Sequence, residues 1–217
     1  MRRLFSLGLS VAAALAVSLI LAGCTISSEN KLIADTEGAA PLPDSFTFFP
    51  YEADADGYVP AKDAPAAFTR QGKSYVSTDM ADVKGPLDVR FLPIGDQDYL
   101  VAASFGEAPD VVYGFARYAD GVLSLALTPD ADTSAAIDRE RAGAMPKTVK
   151  ALDGITVSQG TDAITLTTRS ALDYLARMYV AGRLPMGRLS VAYIALNPNA
   201  VPPSRLVRDG RHWVKVP

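Results

Sequence analysis

The sequence predicts an α+β fold, an antiparallel β-meander with two or three helices in a single domain. Three observations lead there. From residue 45 onward, short runs rich in β-branched and aromatic residues alternate with tight-turn signals, at spacings too short for the crossovers that parallel strands need. Asp120-Gly121 lies between two alternating runs, the strongest short-range hairpin signal. Residues 170–181 place Leu172, Leu175, Ala176 and Tyr179 on one helical face, as a packed helix requires.

Taken in order, residues 24–44 are rich in Ser, Glu, Asn, Ala and Pro. They read as a flexible tether, because they bury too little apolar surface to offset the cost of ordering. The globular domain is then expected over residues 45–217. Residues 45–49 read as a first strand stopped by Pro50, and residues 52–67 as an acidic loop. Gln71-Gly72-Lys73 and residues 94–98 read as turns, each between two strands. Gly72-Lys73-Ser74 has the ending of a phosphate loop, but no helix follows it, so it too reads as a turn.

In the Asp120-Gly121 hairpin, a two-residue turn pairs Tyr118 with Leu123, Ala116 with Leu125 and Gly114 with Leu127. Leucines then oppose small residues on one face, a core layer. Tyr113, Phe115, Arg117 and Ser124 take the other face, which is either solvated or covered by a helix. Residues 132–144 read as an exposed helix. Residues 155–157, 164–168 and 189–196 read as strands. The helix over 170–181 carries a capping-box pattern, Ser170 with Asp173, and stops at Gly182. At the C-terminus, Asp209-Gly210 predicts a hairpin that sets Arg208 opposite Arg211, on the face of Leu206 and Trp213.

The first 24 residues have a separate character. Arg2 and Arg3 precede a run, residues 4–21, that is apolar apart from three serines and a glycine. This is the pattern of a secretory signal, preferred here to an uncleaved membrane helix. The run ends in Leu21-Ala22-Gly23-Cys24, which resembles the lipobox of bacterial lipoproteins. The resemblance covers residues 1–24 and implies removal of residues 1–23 and lipid attachment at Cys24. With Thr25 rather than Asp after the cysteine, it also implies an outer-membrane location facing the periplasm.

Composition narrows the chemistry. Cys24 is the sole cysteine and His212 the sole histidine. A lipidated Cys24 leaves no disulfide and no thiol nucleophile, and one histidine excludes zinc sites built on two or three. No serine sits in a G-x-S-x-G elbow. Glu52, Asp54, Asp56 and Asp63 partly match the alternating oxygen pattern of a calcium loop, but Glu and Asp are exchanged at its first and last positions. The preferred reading is a solvated acidic loop, with no metal and no cofactor expected. Carboxylate pairs such as Asp96 with Asp98 and Asp130 with Asp132 sit in predicted turns, where Asp bonds its own backbone.

Charge is uneven: 18 acidic against 7 basic residues from 24 to 132, and 6 against 12 from 133 to 217. The two halves are expected to fold together and mix their charges on one surface. The functional expectation is a membrane-anchored envelope lipoprotein, a non-enzymatic binding or interaction module with no nucleic-acid partner. Arg208, Arg211 and Trp213 form its candidate contact with an anionic envelope component. The alternative is a hydrolase of an envelope polymer working through carboxylates such as Asp54, Asp56 or Asp110. A deep cleft converging two acidic side chains favours the alternative; an apolar groove favours the binding module.

Overall fold

The computed structural model describes residues 25–62, 65–78, 85–106, 108–143, 151–158 and 160–217. These contain fourteen strands and two helices. The strands are β1 (Ile26–Ser28), β2 (Ser45–Asp54), β3 (Gly57–Pro60), β4 (Ala66–Gln71), β5 (Ser74–Ser77), β6 (Leu87–Pro93) and β7 (Asp98–Phe105). After these come β8 (Val111–Ala119), β9 (Val122–Ala126), β10 (Ile155–Val157), β11 (Ile164–Leu166), β12 (Leu189–Ala195), β13 (Arg205–Asp209) and β14 (His212–Val216). Helix α1 is Ala131–Gly143 and α2 is Arg169–Val180.

The expected α+β meander is corrected to a mostly β fold, a closed barrel of eight antiparallel strands with additional strands around it. Strands β4 to β9 pair consecutively, each with the next. Strand β2 joins β4, and β12 pairs with β2 on one side and β9 on the other, which closes the ring. The turns between neighbours are visible in sequence. The two ladders of β12, one of them to a strand far back in the chain, are not. Closure removes the exposed edges that an open meander would present.

The Asp120-Gly121 turn forms as the sequence predicts. Both residues have positive φ, 55° and 75°, as a type I′ turn requires. Tyr118 faces Leu123 and Ala116 faces Leu125. Leu123, Leu125 and Leu127 point into the barrel. The opposite face is covered: Phe115 stacks on Tyr179 of α2 with ring centroids 4.2 Å apart. The cap of α2 differs from expectation. Thr168, not Ser170, is the N-cap, its Oγ1 accepting from the Ala171 N–H at 3.2 Å, while Asp173 pairs with Arg169 at 2.8 Å.

Strand β2 runs through Pro50 instead of stopping at it. Its flank is shared: β4 pairs as far as Phe48, and β3 begins at Tyr51. The Pro50 carbonyl points to this handover, accepting from Ala61 N–H at 2.9 Å. The missing N–H therefore falls where no ladder partner is needed, as strand prolines require.

Residues 25–44 are not a free tether. Strand β1 lies between β11 and β8, Ile26 and Ile33 are buried against the helices, and Leu42 is buried inside the barrel. The Leu42 N–H donates to Tyr75 Oη at 3.0 Å and its carbonyl accepts from the same hydroxyl at 2.6 Å. The segment is poor in apolar residues, but each one lands in a pocket supplied by distant strands.

Three cores result. One fills the barrel. A second lies outside β7 and β8, under α1, α2, β10 and β11. A third lies outside β2, β9 and β12, where Leu206 and Trp213 of the C-terminal hairpin cover Tyr51, Val122 and Val191. The unequal charges do pair across the two halves of the chain: Arg169 with Glu37, Arg205 with Asp54, and Arg211 with Asp98.

Candidate functional site: the barrel interior

Along each barrel strand alternate residues point inward, so the interior is written by every second position. At the end where β7 and β9 begin, that lining is aromatic. Phe46 stacks on Phe68 at 5.3 Å between ring centroids and meets Tyr75 edge-on at 5.5 Å. Tyr75 meets Phe91 at 5.8 Å, and Phe91 meets Tyr99 at 6.1 Å, both edge-on. Leu42 plugs this tyrosine end from the crossing N-terminal segment. Burial pushes the Tyr75 phenol up, opposed by its bond to the Leu42 carbonyl, so it stays a neutral donor and acceptor.

Toward the other end, where β6 begins and β9 finishes, the inward positions are Phe48, Pro50, Ala66, Leu87, Val89, Ala103, Phe105, Leu125 and Leu127. Here the barrel is not filled. Phe48, Val89, Ala103 and Leu125 point inward yet are only half-buried. They surround a cavity whose atom-free space, including its mouth, is about 860 Å³. That space is well beyond what a single water molecule fills. Eight-stranded barrels are just wide enough either to be filled by side chains or to hold one small ligand. Here the interlocked rings of the tyrosine end form the floor of the space and the leucine end forms its walls.

Among the described residues the lining carries no charged side chain, and its polar group, the Tyr75 hydroxyl, is held by Leu42. Such a surface can do no acid–base or nucleophilic chemistry. It can exclude water and accept an apolar body. The sequence reading placed Leu123, Leu125 and Leu127 on a core face. It missed the cavity, because which inward residues leave space depends on barrel closure.

The candidate residues read from sequence lie elsewhere. Cys24 and Asp63 fall outside the described residues. Glu52, Asp54 and Asp56 do not form a calcium loop: Glu52 and Asp54 are in the β2–β3 ladder, where they face Val59 and Gly57. Arg205 holds Asp54 and Asp56 at 3.2 and 3.4 Å. Among the described residues no cluster of three His, Cys, Asp or Glu is placed to hold a metal ion.

The C-terminal hairpin slips relative to expectation. Asp209 faces His212 and Arg208 faces Trp213, so the turn is Gly210-Arg211. Gly210 has φ +59° and Arg211 does not share it, which fits a type II′ turn with glycine first. The slip takes Arg211 out of the ladder and removes the like-charge pair. Leu206 and Trp213 remain on one inward face, Trp213 edge-on to Tyr58 at 5.6 Å.

Trp213 is thus a buried packing residue rather than an exposed anchor. Arg211 donates to Asp98 at 2.9 Å, and Arg117 reaches the same oxygen at 3.1 Å. Burial raises the Asp98 carboxyl, with Arg211 opposing. Arg208 donates to the Gly210 carbonyl at 3.1 Å. Asp110, the remaining carboxylate of the hydrolase alternative, is exposed and lies off the cavity. Comparison with protein-family models, curated proteins and solved structures finds no match to this chain.

Proposed function

We propose that this chain is a lipid-anchored protein of the cell envelope whose barrel binds one small apolar ligand. The observation that carries the reading is the carbon-lined cavity, walled at the leucine end by half-buried side chains and floored by the aromatic cluster of Phe46, Phe68, Tyr75 and Phe91. Apolar walls with few polar groups are the usual composition of small-molecule pockets. The anchor rests on the apolar run and the Leu21-Ala22-Gly23-Cys24 sequence, which support lipid on Cys24, and Thr25 rather than Asp after the cysteine supports an outer-membrane location. No helix among the described residues is long and apolar enough to cross a membrane.

The fold adds one point to the anchor. The Thr25 carbonyl already accepts from Ile164 N–H at 2.7 Å, and β1 begins at Ile26. A lipid on Cys24 therefore holds the barrel against the bilayer with no slack, close to a source of acyl chains. A carboxylate hydrolase is not favoured, since Asp54 and Asp56 are paired with Arg205 and neither they nor Asp110 line the cavity.

The test is equilibrium titration of residues 25–217, which hold every described strand and helix, with an uncharged naphthylamine fluorophore. The expected result is saturable, blue-shifted emission at one probe per protein, lost in Leu125→Trp with the fold intact by circular dichroism. Emission unchanged by Leu125→Trp removes the cavity as the site.

A further inference from the structure

One side chain in the cavity lining does not come from the barrel. The described lining residues sit on barrel strands or, like Leu127, just past one; Leu42 is the exception. It belongs to the N-terminal segment that crosses the tyrosine end. The crossing is fixed on both sides. Ala39 N–H donates to the Phe91 carbonyl of β6 at 2.7 Å, and the Asp44 carbonyl accepts from Arg70 N–H of β4 at 2.7 Å. Leu42 lies between these two fastenings and shares the barrel core with the rings of the floor.

The local sequence is Pro41-Leu42-Pro43. Each proline fixes its own φ, and Pro43 also confines Leu42 to extended backbone. Neither proline has an N–H, so the Leu42 N–H is the one donor of the three residues. Tyr75 Oη accepts from it at 3.0 Å and donates to the Leu42 carbonyl at 2.6 Å. The backbone of the crossing is therefore held without help from the Leu42 side chain, which stands as a rigid peg in the cavity floor.

We infer that Leu42 is the depth stop of the cavity, the residue that sets how long an apolar body the barrel accepts. The inference rests on the cavity reading and names what determines its specificity. An apolar body enters along the half-buried walls of Val89, Ala103 and Leu125 and ends against the floor. The floor rings brace one another through ring contacts, so shortening any of them loosens the rest. Leu42 is braced by its backbone instead. Shortening it deepens the space and leaves the rings and the crossing in place. Ligand size is thus set by the N-terminal segment and not by a barrel strand.

The experiment uses the series of 1-alkanols from hexanol to dodecanol as competitors of the bound naphthylamine probe on residues 25–217. Each CH₂ buried in the cavity should tighten binding about fourfold, until the chain meets the floor and further carbons add nothing. The expected result is a break in the parent series that Leu42→Ala moves about one to three carbons longer, since the substitution removes three carbon atoms from the floor. Leu42→Phe, which lengthens the peg, should move the break shorter, and Leu125→Ala, in the wall, should leave it in place. Alkanols below the break should bind the parent and Leu42→Ala alike, which also reports that the variant is folded. A break that Leu42→Ala and Leu42→Phe leave unmoved, or that Leu125→Ala moves equally, overturns the role of Leu42. Loss of every alkanol in Leu42→Ala overturns it too, because the crossing would then depend on the side chain. Failure of the probe and of all alkanols to bind the parent overturns the cavity reading, and this inference with it.

Discussion

The two halves of the barrel interior are made from the same eight strands and do opposite things. At the tyrosine end, Phe46, Phe68, Tyr75 and Phe91 interlock edge to face, and Leu42 closes the gap with both of its backbone polar groups bonded to one phenol. At the leucine end, smaller or differently shaped side chains such as Val89, Ala103 and Leu125 leave space. Filled volume and satisfied polar groups stabilise a fold. Unfilled apolar volume does not, so its retention in a protein with no disulfide available fits use as a site. Under the proposed reading, the tyrosine end serves the fold and the leucine end serves the ligand.

Substitutions can break that comparison. Phe91→Ala, at the filled end and 2% exposed, should cost about 3–5 kcal/mol in a denaturant titration. Tyr75→Phe keeps the ring but leaves the Leu42 N–H without its acceptor, and should cost about 1–3 kcal/mol. Leu125→Ala, on a half-buried wall, should cost only about 1–2 kcal/mol, because part of its surface is already unpacked. If Leu125→Ala cost as much as Phe91→Ala, the leucine end would be as well packed as the tyrosine end, and the division would fail.

The smallest effect concerns acid. The Lys31 ammonium holds the Asp35 carboxyl below the usual carboxylate range, the Arg169 guanidinium does the same for Glu37, and the Trp213 N–H for Asp120. These groups fasten the N-terminal segment and the C-terminal hairpin to the barrel. A depressed carboxyl contributes stability that is present above its unfolded value, near pH 4, and is lost as pH falls through the lower folded value. Asp98, raised by burial, acts with the opposite sign: its contribution is present below its unfolded value and is lost as pH rises through its folded one. Hydrogen exchange at pH 3 against pH 6, corrected for intrinsic rates, should therefore show β1 and β14 opening before β6 to β9. Simultaneous opening would mean that the arms and the barrel form one unit.

Local turn chemistry was the legible part of this fold. Asp120-Gly121 declares its own type and register, because both positions need positive φ and few dipeptides supply it. Gly210 was harder, since Asp209-Gly210 and Gly210-Arg211 are both acceptable turns, and the rest of the molecule chose the second by giving Arg211 to Asp98. The tether was misread for a different reason. Low apolar density signals disorder only when no distant strand offers a partner, and β1 obtains two, β8 and β11. The β12 closure and the cavity were illegible together, since inward residues enclose a space only once the ring is complete.

The central claim is that the leucine end, and no other apolar region, receives a small apolar ligand. The most direct measurement is NMR of residues 25–217 with ¹³C-labelled leucine and valine methyls, titrated with 1-decanol. The account predicts saturating shifts and ligand contacts at Leu87, Val89, Leu125 and Leu127, with Leu172 and Leu175 of the outer core unmoved. Shifts confined to the outer core, or spread evenly over both cores without saturation, would contradict it.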